Sequence, residues 1–220
     1  MKSNLALINH LHPFQSTKLK LVNYQNQLVD EDTSITLDEL LRYIDGLNKI
    51  IIVSAYRSSD QQAQIYNDSL LKNGLEFTKQ YVARPLCSEH QSGLAIDLST
   101  DINENNIIDP EFIAEGIGLS FMEKMANFGF ILRYPKEKET ITNISHEPWH
   151  FRYVGYPHSQ IMKEKGLCLE EYIEFLDDFT YEKPFHYQDY LIFKSYKKYA
   201  GYDISFDNIA SFIHTRSLYD

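Results

Sequence analysis

The stretch SEHQSGLAIDLS, residues 88–99, predicts the centre of the fold because it combines a turn with a short buried strand. After the Ser-Gly turn, alternate apolar residues share one face of the strand, and Asp97 lies on the other face. A carboxylate inside such an apolar strand is costly unless it is paired, hydrogen-bonded or coordinated to a metal. His90, on the approaching turn, is placed to meet it.

A second segment, EPWHFRYVG at residues 147–155, has the same character. Its alternate aromatic residues share one face of a predicted strand, so His150 points away from them. Pro148 removes a backbone donor and indicates a bend at the start of the strand. We expect that bend to bring the Glu147 carboxylate to the side of the imidazole.

Together, His90, Asp97 and His150 offer two nitrogen ligands and one oxygen ligand. This set leaves a fourth position open, as catalytic zinc requires, although imidazole and carboxylate also suit other divalent metals. Glu147 then remains free to act as a base beside the metal. Arg57 stands just past a predicted buried strand, where its guanidinium would stabilise the oxyanion of a tetrahedral intermediate.

The elements around these segments predict an α+β domain with a small central antiparallel sheet flanked by helices. Leucine spacing predicts a first helix over residues 36–48, with Thr36 and Glu39 as a capping box. Gly74 is expected to end the second helix. The other predicted elements are strands at 49–57, 94–99, 130–134 and 149–155, and helices at 58–73, 120–128, 157–166 and 169–179.

Beyond about residue 180 the sequence changes to an alternation rich in Tyr and Phe. This pattern predicts a small β appendage with a turn near Ala200 and Gly201. We therefore divide the chain into a main domain, residues 1–179, and a C-terminal extension, residues 180–220.

The composition excludes several classes of function. With 31 acidic and 21 basic residues, the net charge of −10 is opposite to that of a phosphate-binding nucleic-acid protein. The first residues lack a signal-peptide core, and the purest apolar run, residues 50–53, is far below the ~20 residues that span a bilayer. Two cysteines make no disulfide framework. We expect a soluble cytoplasmic protein.

SEHQSGLAID matches the pattern S-x-H-x-x-G-x-A-x-D, and EPWHFR matches E-x-W-H. Through these motifs, and YRS with Gln62 downstream, the sequence resembles the VanX/VanY family of zinc D,D-peptidases, and within it the VanXY-type bifunctional D,D-dipeptidases/D,D-carboxypeptidases. The likeness extends over about residues 7–178, and the tail faintly resembles a C-terminal extension of one subtype.

The resemblance implies a zinc ion held by His90, Asp97 and His150. It also implies that Glu147 is the catalytic base and Arg57 the stabiliser of the transition state. Members of this family hydrolyse D-Ala-D-Ala or remove the terminal D-Ala of the cell-wall precursor pentapeptide, which contributes to vancomycin resistance.

Ser88 and Gln62 stand at motif positions that imply contacts with the terminal D-alanine of the substrate. Leu86 departs from the family pattern, because relatives commonly have Gly after the proline that is Pro85 here. This change affects the loop that leads to Ser88.

Two other functions share these signatures. One is an L,D- or D,D-carboxypeptidase for general muropeptide remodelling, which the missing export signal disfavours. The other is a non-catalytic module that binds zinc or a wall peptide, which would need neither Glu147 nor Arg57.

Overall fold

The computed structural model describes residues 3–15, 18–104 and 106–219. Ten strands in these ranges form a two-stranded hairpin, β1-β2, and two antiparallel four-stranded sheets. The strands are β1 (Leu21–Tyr24), β2 (Gln27–Asp30), β3 (Ile51–Ser54), β4 (Ala95–Ser99), β5 (Phe130–Leu132), β6 (His150–Tyr153), β7 (Phe185–Tyr187), β8 (Tyr190–Ser195), β9 (Asp203–Phe206) and β10 (Phe212–Ser217). The central sheet has the order β3-β4-β6-β5, and the C-terminal sheet the order β7-β8-β10-β9.

Six α-helices in the described ranges surround these sheets. They are α1 (Glu31–Tyr43), α2 (Ser59–Tyr81), α3 (Gly116–Lys124), α4 (Glu139–Thr142), α5 (His158–Lys165) and α6 (Leu169–Phe175). Short 3-10 helices lie at Glu89–Ser92, Met125–Phe128, Lys136–Lys138 and Leu176–Asp178. None of the helices in the described part of the chain has the length and hydropathy needed to cross a bilayer.

The register of the central sheet positions the polar residues of its two middle strands. Asp97 on β4 pairs directly with His150 on β6, and Ser54 on β3 pairs with Asp97 from the other side. Residues paired in this way place their side chains on the same face, about 5 Å apart. The carboxylate and the imidazole are therefore neighbours because of the strand pairing.

The opposite face of the central sheet is the main hydrophobic core. Ile96 and Leu98 on β4 alternate with Asp97 and pack in one buried cluster with α1 and α3, through residues such as Leu37 and Phe121. Burial of these side chains drives the sheet against the helices. This arrangement confirms the predicted α+β fold with a central antiparallel sheet.

The C-terminal sheet confirms the predicted β appendage and packs on the helices before it. Ile192 on β8 and Ile213 on β10 share a second buried cluster with α5 and α6. His158 on α5 links α6 to the C-terminal sheet. Its Nδ1 lies 2.7 Å from the hydroxyl of Tyr172 on α6, and its Nε2 lies 2.9 Å from the hydroxyl of Thr215 on β10.

The first described segment runs between the central sheet and the C-terminal sheet. The backbone N–H of Leu7 donates to the Asp207 carbonyl at 3.0 Å, and the Asn208 amide donates back to the Leu7 carbonyl at 2.9 Å. On the other side, Arg152 on β6 donates to the carbonyls of Asn4 and Ala6. These bonds join the two ends of the described chain.

Two predicted helix boundaries are wrong. α1 begins at Glu31, because Asp30 caps it by accepting from the backbone N–H of Thr33 at 3.2 Å, so the predicted capping box at residue 36 lies inside the helix. Gly74 has a φ of +81°, yet it forms a kink, and α2 continues to Tyr81. The other predicted elements are present with shifted ends, and residues 135–147 also contain α4.

Candidate functional site

Three potential metal ligands meet on the open face of the central sheet. The Nε2 atom of His90 lies 3.1 Å from one oxygen of Asp97, and Nδ1 of His150 lies 3.0 Å from the other. The ligand atoms of the three side chains all lie within 4.8 Å of one another, and all three residues are buried. The structure thus brings together the residues that the sequence predicts as ligands.

The hydrogen bonding at this cluster fits a bound cation. Nδ1 of His90 lies 2.6 Å from the Ala55 carbonyl, which can only accept, so the lone pair of Nε2 faces Asp97. One oxygen of Asp97 is buried and accepts no hydrogen bond, although His150 is beside it. Two nitrogens and a carboxylate that converge in this way suit a divalent metal with an open position.

Glu147 lies at the edge of the same cluster. The chain turns at Pro148, where the N–H of His150 donates to the Glu147 carbonyl, and the Glu147 carboxylate comes within 3.6 Å of Nδ1 of His150. Burial raises the pKa of Glu147, the charge of His150 lowers it, and the charge of Asp97 raises it. The net result is a pKa of about 8. A carboxyl group with a pKa near neutrality can accept a proton and return it.

Arg57 reaches the cluster from the loop between β3 and α2. Its Nη2 lies 2.7 Å from Asp97 Oδ2, and its Nε donates to the Ser54 hydroxyl at 2.9 Å. Gln62 on α2 lies behind it: the amide oxygen is 3.4 Å from Arg57 Nη1, and the amide nitrogen donates to the Ala83 carbonyl at 2.7 Å. Both ends of the Gln62 amide are thus engaged within the protein.

The charges in the cluster shift its pKa values in opposite directions. Burial raises the pKa of Asp97, but the electrostatic interactions with His90 and His150 outweigh it and lower the pKa below its usual range. Burial and the charge of Arg57 lower the pKa of His90 to about 4. Burial also lowers the pKa of His150, but Asp97 and Glu89 raise it to about 9. Asp97 is therefore the anionic centre of the site.

Sequence reasoning missed the group behind His150. Glu89 is 1% exposed, and its Oε1 accepts from Nε of Arg133 at 2.8 Å and from Nη1 of Arg152 at 2.6 Å. Its other oxygen lies 3.7 Å from Nε2 of His150, which is beyond hydrogen-bond distance, and neither atom has a hydrogen-bond partner among the described residues. The available signal was the two arginines inside predicted apolar strands, since buried charges require partners. Glu89 thus places a negative charge beside the imidazole, on the side away from Asp97.

A narrow cavity of about 40 Å³ opens onto the cluster. Tyr134, Trp149 and the loop at residues 107–108 form its walls, and Ser88 lines it with its side chain buried. Leu86, two residues before Ser88, has a φ of +68° and is half exposed. This is the left-handed region that favours glycine, so Leu86 adopts a backbone conformation that is unusual for a residue with a side chain.

Comparison with known proteins places this geometry in a family. The profile of the VanY family, described as D-alanyl-D-alanine carboxypeptidase, matches residues 27–156. The bifunctional D-Ala-D-Ala dipeptidase and D-Ala-D-Ala carboxypeptidase VanXYC of Enterococcus gallinarum is 43% identical over 181 residues, which cover 79% of this chain and 95% of the relative.

Solved structures agree with this match. The vancomycin resistance D,D-dipeptidase VanXYg, in complex with a D-Ala-D-Ala phosphinate analogue, superposes with a TM-score of 0.92 at 39% identity, over 97% of this chain and 93% of that one. A mutant of the D,D-pentapeptidase VanY from the VanB-type resistance cassette, in complex with Zn(II), has a TM-score of 0.67 at 31% identity, over 77% of this chain and 98% of that one.

Proposed function

The chain belongs to the VanY family of D-alanyl-D-alanine carboxypeptidases, and from that premise we propose that it is a zinc-dependent D,D-peptidase of vancomycin resistance. Its substrates would be the dipeptide D-Ala-D-Ala and the terminal D-Ala of the precursor pentapeptide. One observation carries this proposal: Glu147 and Arg57 lie in the same buried cavity as the His90, Asp97 and His150 cluster. A purely structural metal site needs neither of these two residues.

His90, Asp97 and His150 are the proposed zinc ligands, and Glu89 supports His150 from behind. When bound, zinc would polarise the scissile carbonyl and lower the pKa of a water molecule. The convergence of the ligand atoms of the three side chains within 4.8 Å and the free oxygen of Asp97 support this assignment.

Glu147 is the proposed general base and acid. Its carboxylate takes the proton of the attacking water and then delivers it to the amine of the departing D-alanine. Arg57 donates to the carbonyl oxygen as negative charge develops there. Gln62 holds Arg57 in place and lines the cavity, and Ser88 offers its hydroxyl to the terminal D-alanine.

Two further proposals concern the whole chain. We propose that it acts in the cytoplasm, where unfinished precursors that end in D-Ala-D-Ala are found. We also propose that residues 180–220 are an appendage of the peptidase domain, residues 1–179. The second core cluster, which β8 and β10 share with α5 and α6, supports an appendage fixed to the domain.

The test is D-alanine release by the zinc-loaded protein from D-Ala-D-Ala and from the pentapeptide, with Glu147→Gln as the matched variant. We expect release from both substrates and a loss of about 10²–10⁴-fold in Glu147→Gln, with metal content unchanged. Near-normal turnover in Glu147→Gln would refute the base assignment. Metal binding without any release would favour a binding module, and cleavage of only an L,D-linked tetrapeptide would favour muropeptide remodelling.

A further inference from the structure

A second cavity, of about 370 Å³, adjoins the candidate active site. The two cavities are neighbours, because both are lined by Val82, Ala83, Tyr134 and Ile144. The site cavity, at about 40 Å³, is much smaller. The second cavity is therefore directly next to the site and offers space for a substrate longer than a dipeptide.

The charge of this second cavity is opposite to that of the protein. Lys79, Arg84 and His10 line it, and no Asp or Glu does so within the described residues, although the chain carries a net charge of −10. Arg84 forms no ion pair with a described residue. Lys79 pairs only at 3.4 Å with Glu76, and both of these side chains are largely exposed. Two cations of the cavity therefore remain available to a ligand.

The remaining lining suits a peptide. Tyr66, Thr142 and Asn143 bring hydroxyl and amide groups, and Val82 and Ile144 bring apolar surface. An extended peptide advances about 3.3 Å per residue, so the three residues before D-Ala-D-Ala span about 10 Å, which is the scale of a neighbouring cavity. A free dipeptide lacks those residues.

We infer that this cavity binds the part of the substrate that precedes D-Ala-D-Ala, and that Lys79 and Arg84 select a peptide carrying a carboxylate there. This inference rests on the proposed function and deepens it. It gives the carboxypeptidase activity a binding surface that the dipeptidase activity does not use. Charged groups at such an exposed rim act mainly on capture of the ligand, and their effect falls with salt.

The test uses three substrates of the zinc-loaded protein. They are D-Ala-D-Ala, acetyl-L-Ala-D-γ-Glu-L-Lys-D-Ala-D-Ala, and the same pentapeptide with the free glutamate carboxylate converted to an amide. We expect the wild type to cleave the carboxylate peptide with a kcat/KM about five- to tenfold above that of the amide. The double variant Lys79→Gln/Arg84→Gln should lose this preference and keep its rate on D-Ala-D-Ala. Lys72→Gln, an exposed lysine of α2 outside the cavity, is the matched control and should behave as the wild type.

Three results would overturn the inference. The first is a wild type that does not distinguish the two pentapeptides, and the second is a preference that survives in the double variant. The third is an equal loss on D-Ala-D-Ala, which would assign the cations to the carboxylate that all three substrates share. In each case D-Ala-D-Ala cleavage by the wild type would leave the proposed function standing. If the wild type cleaves none of the substrates, the proposed function fails, and this inference fails with it.

Discussion

Replacing Glu89 by Gln tests the buried charge network that supports the site. The network contains two guanidiniums, Arg133 and Arg152, and two carboxylates, Glu89 and Glu170, so its charges balance. Arg133 contacts both carboxylates. Its Nη1 and Nη2 donate to Glu170 at 2.9 and 2.7 Å, and its Nε donates to Glu89 at 2.8 Å. Arg152 has only Glu89; its other acceptors among the described residues are backbone carbonyls.

The magnitude follows from this asymmetry. Glu89→Gln leaves Arg152, which is fully buried, without a counter-charge. Removing one partner of a buried ion pair costs about 3–5 kcal/mol. For a chain of this size each kcal/mol lowers the melting temperature by about 2–4 °C, so we expect a decrease of about 6–20 °C. Glu170→Gln is the matched control, because Arg133 keeps Glu89; its cost should be about 1–3 kcal/mol.

The assay is urea or thermal unfolding of the metal-free proteins, followed by metal titration of the folded variants. Because Glu89 also faces Nε2 of His150, metal affinity should fall about 10–100-fold in Glu89→Gln and stay near wild type in Glu170→Gln. If Glu89→Gln unfolds within 1 kcal/mol of the wild type, or if both variants lose the same stability, the reasoning about Arg152 is wrong.

Three other predictions concern the metal, pH and a glycine. Zinc at 100 times its Kd should stabilise the wild type by about 2.7 kcal/mol, and a chelator or Asp97→Asn should abolish that gain in a melting assay. Burial lowers the pKa of His158 from 6.5 to about 3, so its neutral form stabilises the fold above pH 6.5. Lowering the pH from 7.5 to 5 should cost about 2 kcal/mol of unfolding free energy, and His158→Gln should remove that loss if the linkage is correct. Gly93 has a φ of +75°, and a Cβ there would lie 2.7 Å from Leu21. Gly93→Ala should therefore cost more than Gly116→Ala, which has a φ of +52° and open space; equal unfolding energies would refute the steric argument.

The sequence predicts the site best where one strand decides it. Alternation along residues 94–98 separates Asp97 from its apolar neighbours, and the observed core contains Ile96 and Leu98 as expected. Pro148 likewise indicates the turn that carries Glu147 toward His150. Both features are set by residues that are close together in the sequence, so sequence patterns predict them.

What the sequence does not predict is non-local. Glu89 finds its partners 44 and 63 positions away, after β5 and β6 have paired, and no spacing rule connects them. Gly74 is a correct local signal, because it does leave helical geometry, but contacts beyond it decide that the helix resumes. Ser69 and Thr78, on the two sides of the kink, share a buried hydrogen bond of 2.8 Å that holds both segments.

The joining of the chain ends by hydrogen bonds has a consequence for biosynthesis. Leu5 donates to Ser205, 200 positions later, and Leu7 donates to Asp207. At a synthesis rate of about 5–20 residues per second, Ser205 is made about 10–40 s after Leu5. Contacts that close so long a loop form late in folding. Arg152 on β6 donates to the carbonyls of Asn4 and Ala6 in the same early segment, so the first-made part of the chain links the strand that carries His150 to one of the last-made parts.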